Sequence, residues 1–414
     1  MTHRDDPPSP RERFLADVLA VVQATDGITD ARPKGGEFAI EYRVSDADDD
    51  DEPSTAIMYL DNLFAETREL SPDDRRAAVR RFVDRMAFPP EAPKRWEDVR
   101  PLLRPVLRSM SFFDDPAITE IGAIWREVVP FLAEAAVIDL PTTMTYVTMA
   151  NLETWGVSVD EVLTAARDAF APWAEHGIEP YDDDASSPVW WVAADDAYES
   201  SRLLVPGWLA RFAGRVRGRP VAAVPHRGLV LIGGDGDAEL VERLAATAEG
   251  EYHESARAIS PALYTVDDAG ALLPFTLGAD DPLAGEVGRG HRIMAAHEYA
   301  QQKARLDALH EKDNTDLFVA SYTALERSDG SVISYCVWGE GVEAWLPRTD
   351  LVTFLWASEQ RDPLTVRWDD VAALVGEAWR PVPHLLPRRM HVRRWPDRPA
   401  LQALIERAVA LSEE

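Results

Sequence analysis

Residues 220–248 read PVAAVPHRGLVLIGGDGDAELVERLAATA. Two short apolar runs, Pro220–Pro225 and Leu229–Ile232, lie three residues apart, which is a strand pattern. A glycine-rich corner, Gly233-Gly234-Asp235-Gly236, then leads into Asp237–Ala248, which reads as a helix. Strand, strand, corner, helix predicts a middle region built on a sheet with helices laid against it. Outward from there, Val189–Ala194 is apolar and reads as a buried strand. Ala262–Val266 and Ala271–Phe275 read as a hairpin around Asp268-Ala269-Gly270. Upstream, Ser158 is placed to cap a helix over Val159–Phe170. Phe131–Asp139 and Met144–Ala150 are predicted to pair around Pro141. Tyr198–Arg215 reads as helical with a break at Pro206-Gly207. Tyr181–Pro188 is an acidic loop.

Toward the N-terminus, Glu12–Gln23 carries Phe14, Leu15, Val18, Leu19, Val21 and Val22 at helical spacing. Residues 1–9 read as a frayed leader. Glu37–Tyr42 and Ala56–Leu60 read as strands, and Asp46–Glu52 between them is so acidic that it must be an exposed loop. Ser71-Pro72-Asp73-Asp74 is a helix start, with a capping hydroxyl, proline in the first turn and acids beside the helix dipole. That helix is expected to reach about Met86. Toward the C-terminus, Gly278–Gly290 is polar and glycine-rich, so residues 279–290 are expected to be a linker. Beyond it come a helix over His291–Lys312 and alternating runs at Leu317–Glu326, Val332–Trp338, Val342–Leu346 and Leu351–Trp356. They predict an antiparallel meander with packed helices, closed by helices at Trp368–Val375 and Ala400–Leu411. The expected fold class is α+β: an α/β-like middle region with a mixed sheet, then this C-terminal module. The expected parts are 1–278, with a subdomain break near 115–128 left open, and 291–414.

The 414 residues are 46% hydrophobic and 28% charged, which excludes a wholly disordered or fibrous chain and allows two or three domains. Asp and Glu number 72 against 43 Lys and Arg, a formal net charge of −29. Such a surface repels nucleic-acid phosphates and anionic lipid headgroups, so nucleic acid is a disfavoured partner. Cys336 is the only cysteine, which rules out an intrachain disulfide or a zinc ribbon. No apolar run is long enough for a membrane span, and no signal-peptide pattern opens the chain. The expectation is a cytoplasmic protein with no membrane association and no cofactor.

Two motifs stand in order in the middle region. Val192-Ala193-Ala194-Asp195-Asp196-Ala197-Tyr198-Glu199-Ser200-Ser201-Arg202-Leu203-Leu204 is followed about twenty residues later by Val221-Ala222-Ala223-Val224-Pro225-His226. With Arg108-Ser109-Met110-Ser111-Phe112 upstream, residues from about 129 to 275 resemble the YtpQ-like bacterial family. The chain departs from that pattern at Asp195, where Asn is expected, and in its C-terminal extension. The family has no established activity, so the resemblance implies ancestry and not a reaction.

Two groups of residues are candidate sites. Asp196, Tyr198, Ser201, Arg202 and His226 sit where α/β sheets collect ligands. A Ser, a His and an Asp there would suit nucleophile, base and orienter, but no G-x-S-x-G elbow is present. The plainer reading is a helix cap, an arginine pinned to a carboxylate and a core histidine. No residue is assigned as catalytic. The second group is cationic: Arg388, Arg389, Arg393, Arg394 and Trp395, with Arg380, Trp379 and His391 nearby. Arginine with tryptophan is the composition of binding hot spots. The plainer reading there is neutralisation of the protein's own carboxylates. The histidines lack metal-ligand spacing, the Asp-rich runs lack the EF-hand pattern, and Gly233–Asp237 lacks dinucleotide-binding spacing. The leading expectation is a non-catalytic module that binds a protein partner through the C-terminal arginines. The alternative is a small-ligand binder or hydrolase-type enzyme at Asp196, Arg202 and His226.

Overall fold

A computed structural model describes residues 9–35, 38–44, 55–87, 92–141, 143–181, 188–194, 196–327, 330–358 and 360–409. The expected leader over residues 1–8, the acidic stretch 46–52, most of the 181–188 loop and Asp195 lie outside them. By contact density the chain forms two compact units, Met1–Pro93 with Asp139–Thr145, and Lys94–Ile138 with Tyr146–Glu414. The fold class is α+β, as the sequence pattern implied.

In the first unit, α1 (Pro10–Gln23) starts at a capping box: Ser9 Oγ accepts the Glu12 N–H, and the Glu12 carboxylate accepts the Ser9 N–H. Strands β1 (Ile28–Pro33), β2 (Ala39–Val44) and β3 (Thr55–Tyr59) form an antiparallel sheet. After α2 (Asp61–Thr67) comes α3 (Pro72–Ala87), where Ser71 Oγ accepts the Asp74 N–H as expected. Phe14, Val18 and Val22 of α1 meet Ile40, Tyr42, Met58, Val79 and Val83 in one core.

The second unit opens with α4 (Trp96–Val99), β4 (Leu103–Ser109), α5 (Pro116–Glu120), β5 (Trp125–Val129) and β6 (Leu132–Asp139), with β6 central between β4 and β5. After β7 (Met144–Tyr146) the chain does not continue as the expected strand to Ala150. Thr148 and Asn151 form a reciprocal cap, and α6 (Met149–Trp155) begins there. Helix α7 (Val159–Phe170) starts at the expected Ser158, with Glu161 completing the box. Six strands then form an antiparallel sheet in the order β13-β12-β10-β11-β9-β8: β8 (Ile178–Pro180), β9 (Trp190–Val192), β10 (Pro220–His226), β11 (Leu229–Gly234), β12 (Leu263–Val266) and β13 (Leu272–Pro274). Between β9 and β10 the expected helix over 198–215 is two short 3-10 turns, Ser200–Leu204 and Leu209–Phe212, because Pro206 and Gly207 interrupt it. Helix α8 (Ala238–Glu254), capped by Asp237, lays Leu240, Val241, Leu244 and Ala248 on Val221, Ala223 and Leu231 of this sheet.

The expected linker is helix. The 29-residue α9 runs from Ala284 to Lys312, and its first two turns use residues assigned to the 279–290 boundary. Gly290 explains the glycine there: a Cβ would stand 2.4 Å from the Pro261 carbonyl oxygen, so this turn can approach the sheet only without a side chain. The C-terminal strands are β14 (Phe318–Val319), β15 (Thr323–Glu326), β16 (Val332–Gly339), β17 (Ala344–Pro347), β18 (Leu351–Leu355), β19 (Leu364–Arg367), β20 (Trp379–Pro381) and β21 (Arg389–Val392). They are not one meander. They split into sheets β15-β16-β18-β19 and β14-β17-β21-β20, and β16 pairs with β18, and β14 with β17, in parallel. Residues 344–347 leave for the second sheet, so the chain returns to β16 running the same way. In β16 the alternation holds, with Val332, Ser334, Cys336 and Trp338 buried. Helices α10 (Trp368–Val375) and α11 (Arg398–Ile405) close the module over Trp338, Phe354, Trp368 and Trp379. Cys336 is fully buried against the Thr349 hydroxyl, and burial pushes its thiol up to about 12. Among the described residues, no helix is long and apolar enough to cross a membrane.

Arg389 joins α9 to the second of these sheets. It is completely buried. Its Nε donates to Gln302 Oε1 at 2.6 Å, its Nη1 to the carbonyls of Ala320 (2.7 Å) and Trp345 (3.2 Å), and its Nη2 to that of Tyr299 (3.3 Å). Arg389→Ala strands those acceptors and opens a cavity. It should destabilise the second unit by at least about 3 kcal/mol in urea unfolding followed by tryptophan fluorescence. Arg389→Lys should recover only part of this, because an ammonium cannot span the fork. A loss under about 1 kcal/mol for the alanine variant would show the hub to be dispensable.

Candidate functional site

The loop after β9 positions the first candidate group. Ala197 has φ of 64°, a left-handed conformation, and this turns the chain so that Asp196 Oδ1 accepts the Tyr198 N–H at 2.9 Å. Glu199 Oε1 in turn accepts the Asp196 N–H at 3.1 Å. Arg202, with no exposed surface, reaches back to Asp196 in a two-pronged pair, Nη2 to Oδ2 at 2.9 Å and Nη1 to Oδ1 at 3.3 Å. Nη2 also donates to the His176 carbonyl at 3.2 Å, and the guanidinium lies 5.6 Å from the Phe170 ring centre. Tyr198 is buried against the same ring. Asp196, Tyr198 and Arg202 are thus brought together as a staple that fixes the loop. Asp196 also lines a cavity of about 540 Å³ with Trp173, His176, Gly177, Ala193 and Ala194. Gly177 is needed there, since a Cβ would stand 2.7 Å from the Ala194 backbone.

His226 is not part of this group. Strand β11 lies between β10, which carries His226, and β9. The His226 ring accepts the Gly228 N–H at Nδ1 (3.2 Å) and has Glu251 3.6 Å from Nε2. Ser201 is buried and its hydroxyl has no hydrogen-bond partner. The geometry that a nucleophile, base and orienter require is therefore not assembled from Ser201, His226 and Asp196.

The second candidate group divides. Arg389 is the buried hub described above, so it presents nothing to a partner. It is one of the two buried residues of β21, at the opposite end of the strand from Val392. Arg388 is exposed, and its charge acts on Glu127. Arg393 donates to Glu343 at 3.1 Å, which also takes His391 at 2.7 Å. Among the described residues Arg394 has no ion pair or hydrogen bond. The Trp395 ring packs on Trp338, Phe354 and Trp356, while its indole N–H is buried without an acceptor. Arg380, His391, Arg393, Arg394 and Trp395 line one groove of about 710 Å³, bounded by α10 and α11. Among the described lining residues the one carboxylate, Asp397, accepts the Ala400 N–H at 2.9 Å as a helix cap.

Sequence reading passed over Glu298. It is 1% exposed in the middle of α9, and Ser111 is its hydrogen-bond partner, through N–H (2.7 Å) and hydroxyl (2.6 Å). Burial pushes this carboxyl up to about 7, against the pull of the Ser111 bonds and with a further push from the Asp114 charge. The signal was available: Met294, Glu298 and Gln302 recur every four residues on one buried stripe of α9. Compared with protein-family models, curated proteins and solved structures, the chain matches none.

Two outcomes follow. Asp196→Ala leaves the Arg202 charge buried and unpaired, and should cost about 3–5 kcal/mol of unfolding free energy. Asp196→Ala/Arg202→Met should regain most of that, and no recovery would mean that the pair does more than hold the loop. Glu298 binds its proton more tightly folded than unfolded, so its contribution to stability is complete below about pH 4.5 and falls as pH rises to about 7. Glu298→Gln should therefore match the wild type near pH 5 and exceed it by roughly 3 kcal/mol at pH 8. A pH-independent difference would refute the assignment.

Proposed function

We propose that the protein is a non-catalytic binding module that takes an acidic segment of a protein partner into the groove between α10 and α11. The carrying observation is a reversal of charge. In a chain of formal net charge −29, this groove is lined by Arg393, Arg394 and His391, with Arg380 beside them, and among its described lining residues the one carboxylate, Asp397, is already engaged as a cap. Glu343 offsets part of that charge, through Arg393 and His391. Arg394 is exposed and, among the described residues, has no ion pair or hydrogen bond, so its guanidinium is a donor awaiting acceptors. An acidic segment supplies both the charge and the carbonyls, and the surrounding negative field would reject wrongly docked carboxylates. The single thiol and the acidic surface suit a reducing cytoplasm, and kinship with the YtpQ-like family remains part of this reading on its quoted motifs. The alternative, a small ligand at Asp196 and Arg202, has the adjoining cavity in its favour but would act without His226.

The test is fluorescence anisotropy with a labelled Glu/Asp-rich peptide, beside basic and uncharged controls. The acidic peptide should bind, more weakly as salt rises, and Arg394→Glu should weaken it by about tenfold or more. Arg394 is exposed and has no ion pair or hydrogen bond among the described residues, so the melting temperature should hold. Equal binding by wild type and variant, or no preference for the acidic peptide, would sink the proposal.

A further inference from the structure

Most arginines that the second unit takes out of water are matched. Arg202 has Asp196, Arg292 has Asp350, Arg289 has Glu249, and Arg389 has four acceptors. Arg108 is different. It sits on β4, 4% exposed, and donates from Nη1 to the Leu107 carbonyl (2.7 Å) and from Nε to the Tyr146 hydroxyl (3.2 Å). Its guanidinium lies 5.5 Å from the centre of the Phe112 ring. Among the described residues no carboxylate is within ion-pair distance. The remaining N–H groups of the fork are uncommitted.

A second guanidinium shares this place. Arg227 stands in the turn between β10 and β11, where its N–H donates to Arg257 and its carbonyl accepts from Ser200. Its side chain is half-buried and also lacks a carboxylate partner among the described residues. The groups that act on its charge are Arg108 and Tyr146: burial and then Arg108 push the guanidinium down to about 10, with Tyr146 opposing. Ser200, whose N–H bonds the Arg227 carbonyl, is 1% exposed, and among the described residues its hydroxyl has no partner. Two like charges gathered with a phenol and no counter-charge, in a chain with 72 acidic residues, is an arrangement that costs stability unless an anion completes it.

We propose that Arg108, Tyr146 and Arg227 form a binding site for a phosphate group, free or at the end of a small phosphomonoester. Two guanidiniums match a dianion, where a single carboxylate would leave one of them uncompensated. The Tyr146 hydroxyl accepts from Arg108 and keeps its own proton to give to a phosphate oxygen. This site is separate from the groove between α10 and α11 and does not depend on what binds there.

Isothermal titration calorimetry on the full chain tests it, with inorganic phosphate and glycerol 3-phosphate at constant ionic strength and acetate as control. The wild type should bind at least one phosphate probe and not acetate. Arg227→Gln should weaken that binding by tenfold or more, and Tyr146→Phe by a few-fold. Arg394→Glu should leave it unchanged. Tighter binding of glycerol 3-phosphate assigns a phosphomonoester, and equal binding assigns free phosphate. Without ligand, Arg227→Gln should melt no lower than wild type, because it removes a like charge; should it fail to fold, Tyr146→Phe carries the comparison. Absence of heat from both probes at about 10 mM, or unaltered binding in Arg227→Gln and Tyr146→Phe, overturns the site.

Discussion

The second unit depends on one helix and on what that helix must satisfy along its length. At its start α9 lies so close to the six-stranded sheet that only glycine fits at residue 290, and His291 bonds the Phe275 carbonyl. At the next residue, Arg292 pairs with Asp350, whose carboxylate also accepts the N–H and hydroxyl of Ser334. Burial would raise that carboxyl, but these bonds hold it below the ordinary carboxylate range. Further along, Tyr299 and Gln302 receive Arg389, while the Tyr299 hydroxyl donates to the Arg388 carbonyl. A helix tied in this way to three different sheets makes their cores a single folding problem. That is why the contact boundary falls near residue 93 and not at the glycine-rich stretch before His291.

What could be read in advance was local. Capping hydroxyls at Ser71 and Ser158 announced α3 and α7, because a cap is a contact between residues three apart. Alternation told which face of β16 is buried, because strand geometry repeats every two residues. What could not be read was partnership. Nothing in residues 332–355 says that β17 will leave for another sheet and make β16 and β18 parallel. In the candidate site the Arg202–Asp196 pair was legible as an arginine pinned to a carboxylate, since both lie on one loop. His226 was misplaced because its neighbour in space is decided by strand order. Arg389 was taken for a surface residue because arginine usually is one, and only its carbonyl partners, scattered from Tyr299 to Trp345, explain why it is not.

The balance of charge connects the two proposed sites. An excess of acidic residues makes a positive place rare, and such places are conspicuous here because, among the described residues, no carboxylate pairs with Arg394, Arg108 or Arg227. Arg394 stands in a groove whose carboxylate, among the described lining residues, is engaged as a helix cap, and Arg108 and Arg227 act on one another's charge beside the Tyr146 hydroxyl. Elsewhere in the same unit, arginines of similar burial are paired, as with Arg202 and Arg292. The contrast lies inside one protein, so it does not turn on how acidic the whole is.

The single thiol has a practical side. Cys336 lies inside the C-terminal core, its sulfur against Thr349, and is held in the protonated form that electrophiles attack slowly. The native fold thus offers maleimide and iodoacetamide dyes almost nothing. A cysteine introduced anywhere on the exterior would be the one reactive handle, and distances within the molecule could be followed by spectroscopy without first removing a natural residue.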